Sequence, residues 1–340
     1  MSAIDFFAAR LTRSVAFAGF VGLLERFDAP RAGQLRVLTY HRVDEPEASP
    51  ELDPSLISAT PAAFERQMAL LAARWHPVAI EEVRSALDGG PALPPRAVLV
   101  TFDDAYRDFA ERAWPVLRKH GVPATQFVPT AFPDCPARAF WWDRLWHAFQ
   151  TTRRRLPLQT PLGTLSLATA DDRHAAVIRL RRHVPSLAHR SALELVDNLC
   201  RELDVAPLPG TVLGWSELRR LARDGLALGG HTHSHPLLSR VSPQKAEQEI
   251  AASFADLRRE MGTPPAAFAY PGGATYAGAE HAVRSAGYSL AFGTRRGINR
   301  LVACDRLQLR RIHLSRGTTA LAFRAKLLPA LSRWKKPRPK

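Results

Sequence analysis

Cysteine is scarce: Cys135, Cys200 and Cys304 stand far apart, with no C-x-x-C pair. That excludes a disulfide framework and a cysteine metal site, and it fits a reducing compartment. Long apolar runs are lacking as well. In "SVAFAGFVGLL" the run from Val15 to Leu24 is about half of the roughly 20 residues that a membrane span needs. It is also a poor secretion signal: Asp5 precedes it, Glu25 and Arg26 follow directly, and no A-x-A-like site stands at its end. Phe7, Leu11 and Val15 recur at helical spacing, so residues 1–33 are expected to hold an amphipathic helix and a linker. We favour a helix packed on the domain over one lying on a membrane surface. The expected compartment is cytoplasmic or peripheral to a membrane, with an extracytoplasmic location as the alternative. Acidic residues are absent after Asp305, and the chain closes on "RWKKPRPK", so residues 319–340 read as a helix and a solvated basic tail. The formal net charge of +15 suits an anionic partner such as nucleic acid, acidic lipid or acidic glycan. Zinc-finger spacing, an aromatic-basic RNP motif and a compelling recognition helix are all missing, which argues against nucleic acid.

What is present is a long, apolar chain. At 340 residues and 46% hydrophobic content it can bury a large core, and an α/β barrel of this size can be one domain. Short apolar runs predict strands at 35–40, 77–80, 97–102, 124–128, 226–230, 266–270, 289–292 and 309–313. Helical text separates them, among it "PAAFERQMALLAARW", "AYRDFAERAWPVLRKHG" and "SPQKAEQEIAASFADLRREMG". Repeated strand-helix units predict a parallel sheet covered by helices, either a barrel or a doubly wound sheet. The domain is expected over residues 34–318. An interval at about 135–215 breaks the rhythm and reads as a helical insertion on one rim, a lid in outline. Within it, "FWWDRLWHAF" offers Trp141, Trp142 and Trp146 either for stacking on sugar rings or for burial on an amphipathic helix, the reading we favour.

The polar clusters fall just after the strands: "TYHR", "TFDD", "GGHTHSH", "AYPGG" and "RIHLSRG". In a β/α barrel those strand ends share one mouth, where such enzymes keep their active sites. Two adjacent carboxylates at the tip of a core strand, Asp103 and Asp104, repel unless something wants both. A cation answers that, with one carboxylate binding it and the other free as a base. Two imidazoles and a carboxylate leave an open position for water on zinc or a similar ion, whose charge lowers the pKa of that water. On a turn leading into a helix, His231 and His235 at i and i+4 share a face while His233 points elsewhere. A surface histidine turn is the competing reading of that cluster.

"TFDDAY" and "HTHSHPLLSRVS" resemble the first two motifs of the polysaccharide deacetylases, the NodB-type carbohydrate esterase family 4, whose usual forms are T-F-D-D-G and H-[ST]-x-x-H. "FAYPGG" resembles the third motif, and "VLTYHRV" resembles the branch of the bacterial poly-N-acetylglucosamine deacetylases. The resemblance covers roughly residues 35–315 and implies a distorted (β/α) barrel. It implies a metal-dependent hydrolase that removes acetyl groups from an N-acetylated glycan, with zinc, or else cobalt, manganese or nickel, as cofactor. By position, Asp103 becomes the general base, and Asp104, His231 and His235 the metal ligands. His41 becomes the general acid, with His313 as the alternative, and the N–H of Gly272 an oxyanion donor. The sequence departs from the family at Ala105, where a glycine is usual, and at Ala269 and Gly272, where an arginine and a tyrosine are common. The missing arginine is the usual partner of the base; Arg311 is expected to replace it, in competition with Arg310. Around "GTRRGINR" the fourth motif has no match. O-acetyl ester cleavage and a non-catalytic glycan-binding protein on the same fold are the alternative functions.

Overall fold

The structure is a computed structural model that describes residues 15–27 and 31–332. In chain order it opens with α1 (Val15–Phe27), β1 (Gln34–Tyr40), β2 (Arg42–Val43), β3 (Ile57–Ala59), α2 (Pro61–Arg74), β4 (His76–Pro77), α3 (Ile80–Leu87) and β5 (Ala97–Phe102). Next come α4 (Trp114–His120), β6 (Ala124–Val128), α5 (Trp141–Thr151), β7 (Leu158–Thr160), β8 (Gly163–Leu165), α6 (Ala170–His183), α7 (His189–Glu202) and α8 (Trp215–Arg223). The chain continues through β9 (Ala227–Gly230), α9 (Pro243–Met261), β10 (Ala267–Ala269), α10 (Ala279–Ala286), β11 (Leu290–Phe292), β12 (Asn299–Arg300), β13 (Ile312–His313) and α11 (Ala320–Leu327).

The main sheet runs β11, β10, β9, β6, β5, β1, all parallel, with β4 beside β5, β13 beside β1, and β12 antiparallel to the start of β1. Leu309 bridges to Phe292 of β11, and Ile312 pairs with Leu38 of β1. The segment 309–313 therefore spans from one end of the sheet to the other and closes it into a distorted (β/α) barrel. Strand periodicity sorts the core. Leu35, Val37, Leu99, Phe127, Ala269, Phe292 and Leu309 form one cluster, joined by Val78, Ile80 and Val83. The alternate residues Leu38, Tyr40, Val98, Val100 and Phe102 pack on Phe64, Met68 and Leu71 of α2 and on Leu117 of α4. Each such buried side chain contributes about 1.5–3 kcal/mol.

Four local expectations are corrected. The strand expected at 77–80 is only His76–Pro77, because Ile80 opens α3. Glu82 accepts the N–H of Ala79 at 2.7 Å and Glu81 joins it in the first turn, where carboxylates favour a helix. The strand expected at 309–313 is regular only at Ile312–His313. The helix expected from Ala105 widens to a π-turn at Phe109–Ala113 before α4. Pro115, in the first turn of α4, has no N–H to continue the ladder. The insertion is not wholly helical, since β7 and β8 form an antiparallel hairpin.

The insertion owns a core, built from Leu145, Phe149, Leu158, Leu167, Val177, Leu180, Val196 and Leu199. Polar contacts dock it on the barrel. The Tyr106 hydroxyl donates to Asp143 Oδ2 at 2.5 Å, the Asp53 N–H donates to Asp143 Oδ1 at 2.9 Å, and Arg181 pairs with Asp53 at 2.5 Å. At the other end of the chain, Val21 of α1 packs with Ala325, Leu328 and Leu331, and Glu25 accepts from Arg324 Nε at 2.8 Å. Phe20, Leu23 and Phe27 are exposed. Phe7, Leu11 and the basic residues 333–340 lie outside the described residues. Among the described residues no helix is long and apolar enough to cross a membrane.

The docking carboxylate generates a pH prediction. Burial pushes Asp143 up to about 7 and Asp108 up to about 6, against about 3.9 for an unfolded aspartate. Between those values the unfolded chain releases protons that the folded chain keeps, so these two carboxyls take stability away as pH rises from about 4 to about 7, while His231 and His313, lowered to about 4 by burial, add stability over much of the same range. Denaturant titrations across that range should show the stability of the unaltered protein falling relative to that of Asp143→Asn as pH rises.

Candidate active site and metal centre

The first catalytic candidate continues the inward phase of β5. Asp103 follows Leu99 and Thr101 at two-residue spacing, and its N–H donates to the carbonyl of Tyr40 at 3.0 Å. Its carboxylate meets Arg311 in a two-pronged contact, Nη1 to Oδ1 at 2.7 Å and Nη2 to Oδ2 at 2.9 Å. Arg311 Nε donates to the carbonyl of Gly293 at 2.9 Å, and the guanidinium lies over the ring of Phe127, 5.9 Å from its centre. Arg310 instead lies beside Gly297, and its N–H donates to Asn299 Oδ1 at 2.8 Å. Burial alone raises the Asp103 carboxyl, but Arg311, His231 and His41 outweigh burial and hold it far below the usual carboxylate range.

Asp104 leaves the strand in a left-handed conformation, φ 75°, and Ala105 follows at φ 54° where the related motif has glycine. Such conformations in non-glycine residues cost about 1–2 kcal/mol each. The turn carries the Asp104 carboxylate to the histidines: Oδ1 stands 3.2 Å from His235 Nε2 and 3.6 Å from His231 Nε2. That oxygen is buried and makes no aligned hydrogen bond. His231 Nδ1 lies 2.7 Å from the carbonyl of Ala269, which fixes the ring and leaves Nε2 as the free lone pair. Burial lowers His231 to about 4, so its imidazole is neutral at physiological pH. One ligand atom from each of Asp104, His231 and His235 lies within 4.8 Å of the others. An orphaned buried carboxylate oxygen facing two imidazole nitrogens is a donor set that fits a divalent cation.

The shared orientation of His231 and His235 does not come from a helix, which corrects that expectation. The loop is irregular, and left-handed Thr232 (φ 64°) and His235 (φ 61°) turn it back on itself. The His235 N–H donates to Thr232 Oγ1 at 3.0 Å. His233 points away, with Nδ1 at 2.9 Å from Asp256 and 3.1 Å from Thr130. Sequence reasoning missed the clamps. The Ser234 N–H and hydroxyl donate to Glu249 of α9 at 2.6 and 2.8 Å, and Phe140 and Trp142 present ring contacts to His235 at 5.4 and 5.3 Å. None of these partners carries a local signal, because each is remote in sequence. Trp142 is buried and donates to the Tyr106 hydroxyl at 2.8 Å, Trp146 donates to the carbonyl of Pro50 at 2.9 Å, and Trp141 lines the cavity.

His41 lies 4.0 Å from Asp103 Oδ2, and its N–H donates to Ser58 Oγ at 2.9 Å. His313 stacks edge-on against His41, ring centres 5.6 Å apart, and is partly open to solvent. Gly272 has φ 58°, and a Cβ there would stand 2.8 Å from the end of the Leu237 side chain, so a larger residue would be strained. His41, Asp103, Asp104, His231, His235, Gly272, Arg311 and His313 face one cavity of about 440 Å³ between the barrel mouth and the insertion, whereas Arg310 and His233 do not reach it.

A parallel barrel with a carboxylate pair and two histidines at the C-terminal ends of its strands has its polar groups where barrel enzymes keep their active sites. The sequence model described as polysaccharide deacetylase matches residues 90–151 and 174–291, more than half of the chain. The chain belongs to the polysaccharide deacetylase family. Among curated proteins it is similar to the poly-beta-1,6-N-acetyl-D-glucosamine N-deacetylase of Escherichia coli (strain K12), 34% identical over 101 residues. That match covers 29% of this chain and only 14% of the relative. In fold it is similar to IcaB from Ammonifex degensii, with a TM-score of 0.56, 19% identity, and 89% and 99% of the two chains covered. It is likewise similar to the Streptococcus pyogenes deacetylase PplD in complex with acetate, with a TM-score of 0.55, 21% identity, and 84% and 94% covered.

The ligand assignment has a direct check. In calorimetric titration with zinc, His231→Ala and Asp104→Asn should lose tight binding, whereas His233→Ala should keep it.

Proposed function

We propose that the protein removes acetyl groups from N-acetylated sugars of a glycan, as a metal-dependent deacetylase. The observation that carries this reading is the buried Asp103–Arg311 pair standing beside the Asp104, His231 and His235 ligand set in one cavity. Asp104, His231 and His235 would hold the ion, zinc before cobalt, manganese or nickel, because two imidazoles and one carboxylate leave open positions on it. When bound, such an ion supplies Lewis acidity and lowers the pKa of water.

The chain's own residues divide the remaining work. Asp103, kept ionised by Arg311, accepts the proton of the attacking water at a carboxylate oxygen. Arg311 occupies both oxygens in the plane and so fixes the direction in which the carboxylate accepts. The turn at Gly272 lines the cavity, and its N–H would donate to the oxyanion as it forms. His41, 4.0 Å from Asp103, donates the proton that the departing amine needs as the C–N bond breaks. We assign the acid to His41 rather than His313, because His41 comes within 4.0 Å of Asp103 while His313 meets the His41 ring edge-on. No covalent bond to the enzyme is required. The name of the Escherichia coli relative supports an N-acetylglucosamine polymer as the kind of substrate.

Protein supplied with zinc or cobalt should release acetate from N-acetylglucosamine oligomers, and chelation should stop it. Asp103→Asn should lower kcat by about 10²–10⁴-fold, the usual worth of a positioned general base; unchanged turnover would remove Asp103 from the mechanism. His41→Ala should lose far more activity than His313→Ala, and the reverse order would transfer the acid to His313. Acetate release from O-acetylated sugars alone would replace the amide reading by an esterase one.

A further inference from the structure

The cavity has two chemically different walls. On the barrel side it is lined by the carboxylates, imidazoles and guanidinium described above. Facing them, the insertion contributes Val184, Pro185, Leu187, Ala192 and Leu193, from the end of α6 through the first turn of α7, and Leu56 joins this wall from the barrel rim. These six side chains offer no hydrogen-bond donor or acceptor. Arg181, at the edge of the same wall, is already paired with Asp53, and His189 is the other polar side chain that the α6–α7 region brings to the cavity. Val184 and Ala192 are also part of the insertion's own core, which holds this surface in place.

We propose that this wall receives an apolar aglycone, so that the preferred substrate is an N-acetylated sugar carried on an apolar anchor rather than a free polysaccharide. This rests on the deacetylase reading above. A polysaccharide presents hydroxyl groups on every unit, and aliphatic carbon that covers them strips their water without returning a hydrogen bond. An amphiphile meets no such conflict. Its sugar occupies the polar wall, and its apolar portion is removed from water against Leu187, Leu193 and their neighbours. The orientation follows from the reacting bond. The acetyl carbonyl has to lie over Asp104, His231 and His235, where Trp142 and Leu237 are the apolar neighbours, so the acyl end is spent there. The α6–α7 surface is left for the opposite end of the sugar. Such an enzyme acts after the transferase that attaches an N-acetylated sugar to its apolar carrier and before any step that needs the free amine.

The test is a series of alkyl glycosides of N-acetylglucosamine, methyl to octyl, each kept below its micelle concentration, with acetate release and calorimetric binding read in parallel. Over the first few carbons kcat/KM should rise roughly fourfold per methylene, the factor for removing one methylene from water. Leu187→Ser and Leu193→Ser should flatten that slope. If either variant fails to fold, the series on the unaltered protein still decides the matter. A flat series, or an N-acetylglucosamine oligomer cleaved as fast as the octyl glycoside, overturns the proposal while leaving the deacetylase reading intact. A rise with N-acyl length in place of aglycone length also overturns it, by putting the acyl chain on this wall. Should no substrate release acetate, the deacetylase reading falls. Binding of the glycosides to the unaltered protein then decides the wall by itself: tightening with chain length supports it, and constant affinity ends it.

Discussion

The contact between Arg311 and Asp103 organises both the fold and the site. Arg311 belongs to the segment 309–313 that closes the barrel, while Asp103 ends the central strand β5. Both side chains are almost wholly buried, so each has lost its hydration, and the pair persists only because the geometry is two-pronged and the third donor, Nε, is satisfied by Gly293. Losing either partner would leave an uncompensated buried charge, at a cost of about 3–5 kcal/mol. The same interaction that latches the barrel keeps a carboxylate ionised against the effect of burial. Stability and chemistry are not separable at this position.

Around that latch the backbone is strained where the ligand candidates sit. Asp104, Ala105, Thr232 and His235 all have positive φ. Strain of this kind persists only where the surroundings over-determine it. For the histidine loop those surroundings are visible: Glu249 holds Ser234, Asp256 holds His233, and the Ala131 N–H holds the carbonyl of His233 at 2.8 Å. Phe140 and Trp142 then close on the His235 ring. Because Trp142 also reaches Tyr106, and Tyr106 reaches Asp143, the insertion is tied to the ligand set through packing and hydrogen bonds. The part of the chain that interrupts the barrel rhythm is thus the second wall of the cavity as well as a support for the first.

The sequence by itself determined the class of fold and the residues that gather at its mouth. Apolar runs at strand length, separated by helical text, dictate a parallel sheet, and in a barrel the strand ends converge, so Asp103, Asp104, His41, His231 and His235 were legible from their position after strands. Local pattern carried that much because side-chain alternation and strand direction are properties of short segments. It failed where a backbone choice depends on distant neighbours: His231 and His235 come together through left-handed turns rather than a helix face, and α3 replaces half of an expected strand. Only the tertiary structure decided which arginine meets Asp103, since Arg310 and Arg311 differ by one residue and hence by the side of the chain they occupy. It alone brought Glu249, Trp142 and the aliphatic residues of α6 and α7 to the site, because contacts between elements more than ten residues apart are set by how whole surfaces pack, and no stretch of sequence contains them.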